Sequence, residues 1–194
     1  MKKIYSITVV LFLTLQCVIA QEKAKSEHVI LISVDGFRPN FYQEMKWPAP
    51  NLKMMAKNGV SSDGVRGIYP SVTYPSHTTL ITGAFPVNHG IYYNSPFEEK
   101  GQTGKWYWES NLIQTETLWD AVRKSNKKSA SLIWPVSVGA AVDYNIPEVW
   151  TLDKSYGRIK PMRDNQTPKG LLEEMETEVL GKVSLKTFNG DYLN

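Results

Sequence analysis

The sequence predicts an α/β fold: a mainly parallel sheet flanked by helices. Three observations lead there. The run at 28–34 is nearly continuously apolar and β-branched, the pattern of a strand covered on both faces, and 129–134 reads as another buried strand. Segments with helical spacing alternate with them, the order expected of a parallel sheet. The composition, 42% hydrophobic and 21% charged over 194 residues, is that of a globular chain of about one domain.

Residues 1–20 stand apart from this pattern. Met1-Lys2-Lys3 is a basic start, Val9 to Leu15 is apolar except for Thr14, and Val18 and Ala20 occupy the −3 and −1 positions of a cleavage site. This is the pattern of a secretory signal peptide cut after Ala20, leaving 21–194 as the mature domain and a periplasmic or secreted location. The apolar stretch is shorter than the roughly 20 residues of a membrane span, and Gln16 interrupts it, so no stable span is expected. Cys17 is the single cysteine, which leaves the mature chain without one. The net charge is +3, falling to +1 without Lys2 and Lys3, with acids and bases interspersed. That balance gives no indication of a nucleic acid partner.

The elements follow in order. His28 to Val34 is the first strand, ending at Asp35-Gly36. Pro50 to Gly59 reads as a helix with apolar positions at Leu52, Met55 and Ala56 and a glycine at its C-terminal end. Val60 to Ile68 reads as extended. Pro75 suits a first helical turn, which puts Thr73 just before a helix that runs to Gly83. The polar, aromatic stretch that follows Pro86 to Ser95, with Gly101 and Gly104, suggests a hairpin or surface loop. Thr117 to Asn126 has Leu118, Ala121 and Val122 on one helical face. Ser129 to Trp134 is the second buried strand, and Lys169 to Leu180 an amphipathic helix. Periodicity is weak from Pro147 to Pro168, and no repeat is present.

Two places carry chemistry. A carboxylate at the C-terminal end of a parallel strand, Asp35, faces the crevice where α/β proteins bind ligands and suits a divalent cation. Asp-Gly is equally a turn sequence. Thr73, at a helix N-terminus, offers a hydroxyl beside backbone N–H groups that favour phosphate. Threonine there is equally a helix cap.

Taken together, four segments narrow the choice. Val34-Asp35-Gly36-Phe37-Arg38, Tyr69-Pro70-Ser71-Val72-Thr73-Tyr74-Pro75-Ser76-His77, Thr82-Gly83-Ala84-Phe85-Pro86-Val87-Asn88-His89-Gly90-Ile91 and then Asn94 resemble the nucleotide pyrophosphatase/phosphodiesterase family of the alkaline phosphatase superfamily. The resemblance implies an alkaline-phosphatase-like fold and metal-dependent hydrolysis of phosphodiester or pyrophosphate bonds in nucleotide-type substrates. It implies that Asp35 binds one of two zinc ions and that Thr73 is a nucleophile touching that ion and passing through a phospho-threonine. Asn94 would donate a hydrogen bond to a phosphoryl oxygen. Tyr74 would stack on a base or leaving group, with Tyr156 as a second wall. Neighbouring activities of the superfamily are the alternatives: a phosphomonoesterase or phosphonate hydrolase, or a non-catalytic remnant.

His28, His77 and His89 are the only histidines, and structural roles are expected of all three. Trp106-Tyr107-Trp108 reads as packing rather than a substrate platform. The later aspartates and histidines that complete the family's two-zinc site have no counterpart here, since no histidine follows His89. The sheet is accordingly expected to be incomplete at the C-terminus, and the 194-residue chain inactive by itself.

Overall fold

The computed structural model describes residues 28–101, 103–153 and 157–184. The leader assigned to residues 1–20, Tyr156, and the last ten residues lie outside them. Residues up to Phe37 form one unit and those from Arg38 a second.

In the first unit, residues 28–34 form no strand, and no ladder pairs with them among the described residues. Val29 is 86% exposed, and Ile30, Leu31, Ile32 and Val34 are exposed too. The buried strand expected here is therefore corrected to an exposed run without strand structure. A parallel-type strand gains burial only between neighbouring strands and covering helices, and the described residues provide neither. Asp35 and Gly36 follow in a turn, Gly36 taking φ +65°, where a side chain would be strained.

The second unit is α/β. Helices α1 (Asn40–Gln43) and α2 (Pro50–Asn58) come first; α2 matches the expected helix, with Pro50 in its first turn, but buries no residue. The segment Val60 to Ile68, expected to be extended, is irregular and forms no strand. Helix α3 (Thr73–Thr82) starts on Thr73 itself, one residue earlier than expected, and ends at Gly83 in the left-handed region. The short α4 (Pro86–His89) and a 3₁₀ turn (Ser110–Leu112) lead to α5 (Leu118–Lys124). Strand β1 (Ala130–Leu132) pairs in parallel with β2 (Tyr144–Ile146), Ala130 opposite Tyr144 and Leu132 opposite Ile146. Helices α6 (Ile159–Asn165) and α7 (Leu171–Met175) follow, and a π-helical turn (Glu176–Leu180) continues α7.

Helix α5 shows how local sequence sets a boundary. Thr117 Oγ1 accepts from the Asp120 N–H at 3.2 Å, while Asp120 Oδ2 accepts from the Thr117 N–H at 2.8 Å. This reciprocal box satisfies two donors that a helix start otherwise leaves open. Thr117→Ala is expected to cost about 1 kcal/mol of stability, read as a lower urea midpoint at unchanged slope. The face expected to be buried is the wrong one. Leu118 is exposed and Trp119 is inside, packed with Ile81, Ala140 and Val142. Strand β1 differs in the same way: Ser131 is buried and Leu132 exposed, because only one neighbour and one covered face are present.

Two further clusters complete the core. Ile146 and Val149 pack with Met162, Leu171 and Leu172, which docks α6 and α7 onto β2. Tyr74, Ile91 and Val136 form the third, lined by Trp106, Tyr107 and Trp108. The tryptophans of that loop are thus packing residues, as the sequence suggested.

Candidate active site: a threonine at the head of a helix

Helix α3 is tied down along its length by side chains that bond back to carbonyls one turn earlier. His77 Nδ1 meets the Thr73 carbonyl at 2.8 Å, Thr78 Oγ1 donates to the Tyr74 carbonyl at 2.8 Å, and Thr82 Oγ1 donates to the Thr78 carbonyl at 2.7 Å. Trp134 stands edge-on to the His77 ring at 5.2 Å between centroids. The head of the helix is fixed from a second direction. Asn94 Oδ1 accepts the Tyr74 backbone N–H at 2.9 Å, and the Asn94 carbonyl accepts the Tyr107 N–H at 3.1 Å. Pro75 has no N–H, and the Ser76 N–H goes to the Val72 carbonyl at 3.2 Å. With its oxygen committed, Asn94 has its two Nδ2 protons to offer an acceptor near Thr73. The structure thus brings Thr73, Tyr74 and Asn94 to one place.

Asn94 is delivered there through α4. Gly90 closes that helix at φ +81°, and a β-carbon at this position would lie 2.7 Å from the Gln114 side chain. His89 is fully buried. Its Nδ1 accepts the Ile91 N–H at 3.1 Å, which places the proton on Nε2, 3.1 Å from Thr79 Oγ1. Nε2 ties α4 to α3 while Nδ1 closes the chain just after α4, so both ring nitrogens are used and this histidine is structural. Burial, the largest cause, holds its pKa below the ordinary 6.5. The unfolded chain therefore takes up this proton first as pH falls. The stability it confers is fully present above about pH 6.5 and declines as pH drops through the lower folded value. Urea midpoints measured from about pH 8 to pH 5 should show this decline. His89→Gln should flatten it, and an unchanged slope in that variant would contradict the assignment.

The Tyr74 ring differs from the expectation of an open stacking face. It is 0% exposed, edge-on to Trp106 at 5.2 Å between centroids. Behind it, Trp150 packs against Trp106 at 4.8 Å and Trp108 at 5.4 Å, and the Arg158 guanidinium lies over Trp150 at 5.2 Å. The Tyr74 hydroxyl and the Trp108 indole N–H are buried without a hydrogen-bond partner among the described residues, and burial, followed by the charge of Glu148, pushes the phenol well above its ordinary value. Sequence reasoning missed Glu148 and Trp150. The one acid inside the apolar run Ile146-Pro147-Glu148-Val149-Trp150 was the available signal.

Asp35 belongs to the first unit, in its exposed turn. No group of three or more His, Cys, Asp or Glu side chains is placed to hold a metal among the described residues. A catalytic zinc takes about three protein ligands. One carboxylate and one hydroxyl fall short of that, so the described residues do not by themselves fit a two-zinc centre.

A hydroxyl at the head of a helix, beside an amide held by a backbone N–H, is an arrangement that can receive a phosphate group. The chain matches the family model described as type I phosphodiesterase / nucleotide pyrophosphatase over residues 29–188, and it belongs to that family. Among curated relatives it is 30% identical to rat ectonucleotide pyrophosphatase/phosphodiesterase family member 3, over 63% of this chain and 14% of the relative. It is 31% identical to Xenopus laevis bis(5'-adenosyl)-triphosphatase enpp4, over 56% of this chain and 24% of the relative. It is 28% identical to mouse family member 7, over 73% and 32%. The chain thus spans between one-seventh and one-third of the length of these relatives. Similar solved structures are two of murine ectonucleotide pyrophosphatase/phosphodiesterase 5. One is 31% identical, covering 56% of this chain and 30% of that one, with a TM-score of 0.45. The other, an inactive form in complex with AMP, is 24% identical, covering 80% and 46%, with a TM-score of 0.49.

Proposed function

We propose that this chain carries the nucleophile of a secreted or periplasmic enzyme that hydrolyses phosphodiester or pyrophosphate bonds in nucleotide-type substrates. The observation that supports it most is the head of α3: Thr73 in the first turn, and Asn94 locked by the Tyr74 N–H so that its amide protons remain to be offered. The names of the rat and Xenopus relatives are consistent with this substrate class. In this reading Thr73 Oγ1 forms a bond to phosphorus, the bond from phosphorus to the leaving oxygen breaks, and water later cleaves the phospho-threonine. Asn94 Nδ2 donates to a non-bridging oxygen as charge builds there. A threonine hydroxyl is a weak nucleophile without an activating group. Metal dependence belongs to the proposal, with Thr73 as one donor to the metal. Removal of metal by a chelator is then expected to abolish turnover, and added zinc to restore it.

The test is substrate preference in the protein isolated from its own cells. Hydrolysis of bis(4-nitrophenyl) phosphate should exceed that of 4-nitrophenyl phosphate. A preference for the monoester would replace the proposal with a phosphomonoesterase of the same superfamily.

A further inference from the structure

The peptide that joins Thr73 to Tyr74 is held on both edges. On one edge its N–H donates to Asn94 Oδ1 at 2.9 Å, and on the other its carbonyl meets His77 Nδ1 at 2.8 Å. A carbonyl only accepts, so Nδ1 of His77 carries the proton. The peptide unit is planar, and pinning both edges sets the backbone torsion that leads out of Thr73. His89 has the opposite tautomer, because its Nδ1 accepts the Ile91 N–H.

The His77 ring is in turn set from outside its helix. It is 8% exposed, with Trp134 edge-on at 5.2 Å. Trp134 and Pro135 are bracketed by Ile133 at φ +52° and Val136 at φ +56°. β-Branched residues avoid this left-handed region, and such conformations persist only where the surroundings impose them. Here the Ile133 N–H donates to the Ile146 carbonyl of β2 at 2.7 Å, and Ser137 Oγ donates to the Trp134 carbonyl at 2.5 Å. Val136 is fully buried in the cluster that contains Tyr74. The strained turn thus meets α3 twice, with Trp134 on His77 and Val136 on Tyr74.

We propose that His77 is a positioning residue for Thr73, acting through the Thr73 carbonyl, and that the turn at 133–136 is the brace that keeps its ring in the donating orientation. With Asn94 on the opposite edge, this fixes the backbone that carries the Thr73 hydroxyl. The catalytic consequence rests on the reading of Thr73 as nucleophile; the brace does not.

Two substitutions separate the ring from its proton. His77→Phe keeps an aromatic ring against Trp134 and loses the donor, whereas His77→Asn loses the ring and keeps an amide nitrogen near the place of Nδ1. In protein isolated from its own cells, with rates taken per folded molecule, His77→Phe should lower kcat for bis(4-nitrophenyl) phosphate about tenfold and leave KM within about twofold. His77→Asn should recover most of that loss. An unchanged kcat in His77→Phe would overturn the positioning role, and so would equal losses in the two variants.

The tautomer is read without turnover. At pH 8, where imidazole is ordinarily neutral, two-bond proton–nitrogen NMR spectra of the whole chain should show His77 protonated at Nδ1 and His89 at Nε2. Loss of signals in His77→Phe and in His89→Gln assigns them. Trp134→Leu should admit the Nε2–H form of His77. An Nε2–H ring at His77 in the unaltered protein would overturn the proposal, and an unchanged tautomer in Trp134→Leu would overturn the brace. If His77→Phe does not fold, His77→Asn assigns the signals and the tautomer decides. Full diester turnover in Thr73→Ala defeats the functional reading, while the tautomer still decides the brace.

Discussion

Thr73→Ala is expected to lower diester hydrolysis on the order of a thousandfold or more, leaving only catalysis that needs no covalent intermediate. The fold should be unaffected. The contacts that fix the helix come from His77, Thr78 and Thr82 behind its head and from Asn94 beside it. Comparing kcat with urea midpoints on the same samples checks both halves. Thr73→Ser keeps a hydroxyl with more rotational freedom and should retain part of the activity.

Replacing Asn94 has the second largest expected effect, because its amide serves two ends. Asn94→Ala removes the proposed donor to phosphate, worth about 2.7–4 kcal/mol and hence a 100- to 1000-fold loss in kcat. It also leaves the Tyr74 N–H without its acceptor, at about 1 kcal/mol of stability. Asn94→Asp separates the two. A carboxylate still accepts from the Tyr74 N–H, so stability should hold, but it presents negative charge where the Nδ2 protons stood, and activity should fall as far as in the alanine variant. Equal activity of Asn94→Asp and the unaltered protein would mean that the amide protons do no chemistry.

The α/β class and several helix boundaries could be read from the chain, and the burial of its strands less so. The order of Thr73, Pro75 and Gly83 marks a helix start and stop through local chemistry alone, and α3 lies within one residue of that reading. Thr117 with Asp120 does the same for α5. Strands are different, since their burial depends on neighbours distant in sequence. Residues 28–34 have the composition of a central strand but join no strand ladder among the described residues. Ser131 is inside while Leu132 is outside, because pairing with β2 and not apolar content chose the covered face. β2 itself, with its polar Tyr144 and Asn145, carried no strand signal. Asn145 is buried because its Nδ2 donates to the Ser137 carbonyl at 2.6 Å and its backbone bridges Thr167. The Tyr74 ring was assigned to substrate by its place beside Thr73, yet the tryptophans that cover it come from loops more than thirty residues away.

The central claim is that phosphorus is transferred to Thr73. Acid quenching of the natively isolated protein during turnover of a diester, followed by mass spectrometric mapping, tests it most directly. The expected result is a phosphoryl-containing adduct on the peptide carrying Thr73, absent from Thr73→Ala. Turnover that proceeds at full rate with no adduct on Thr73, and that survives Thr73→Ala, would contradict it.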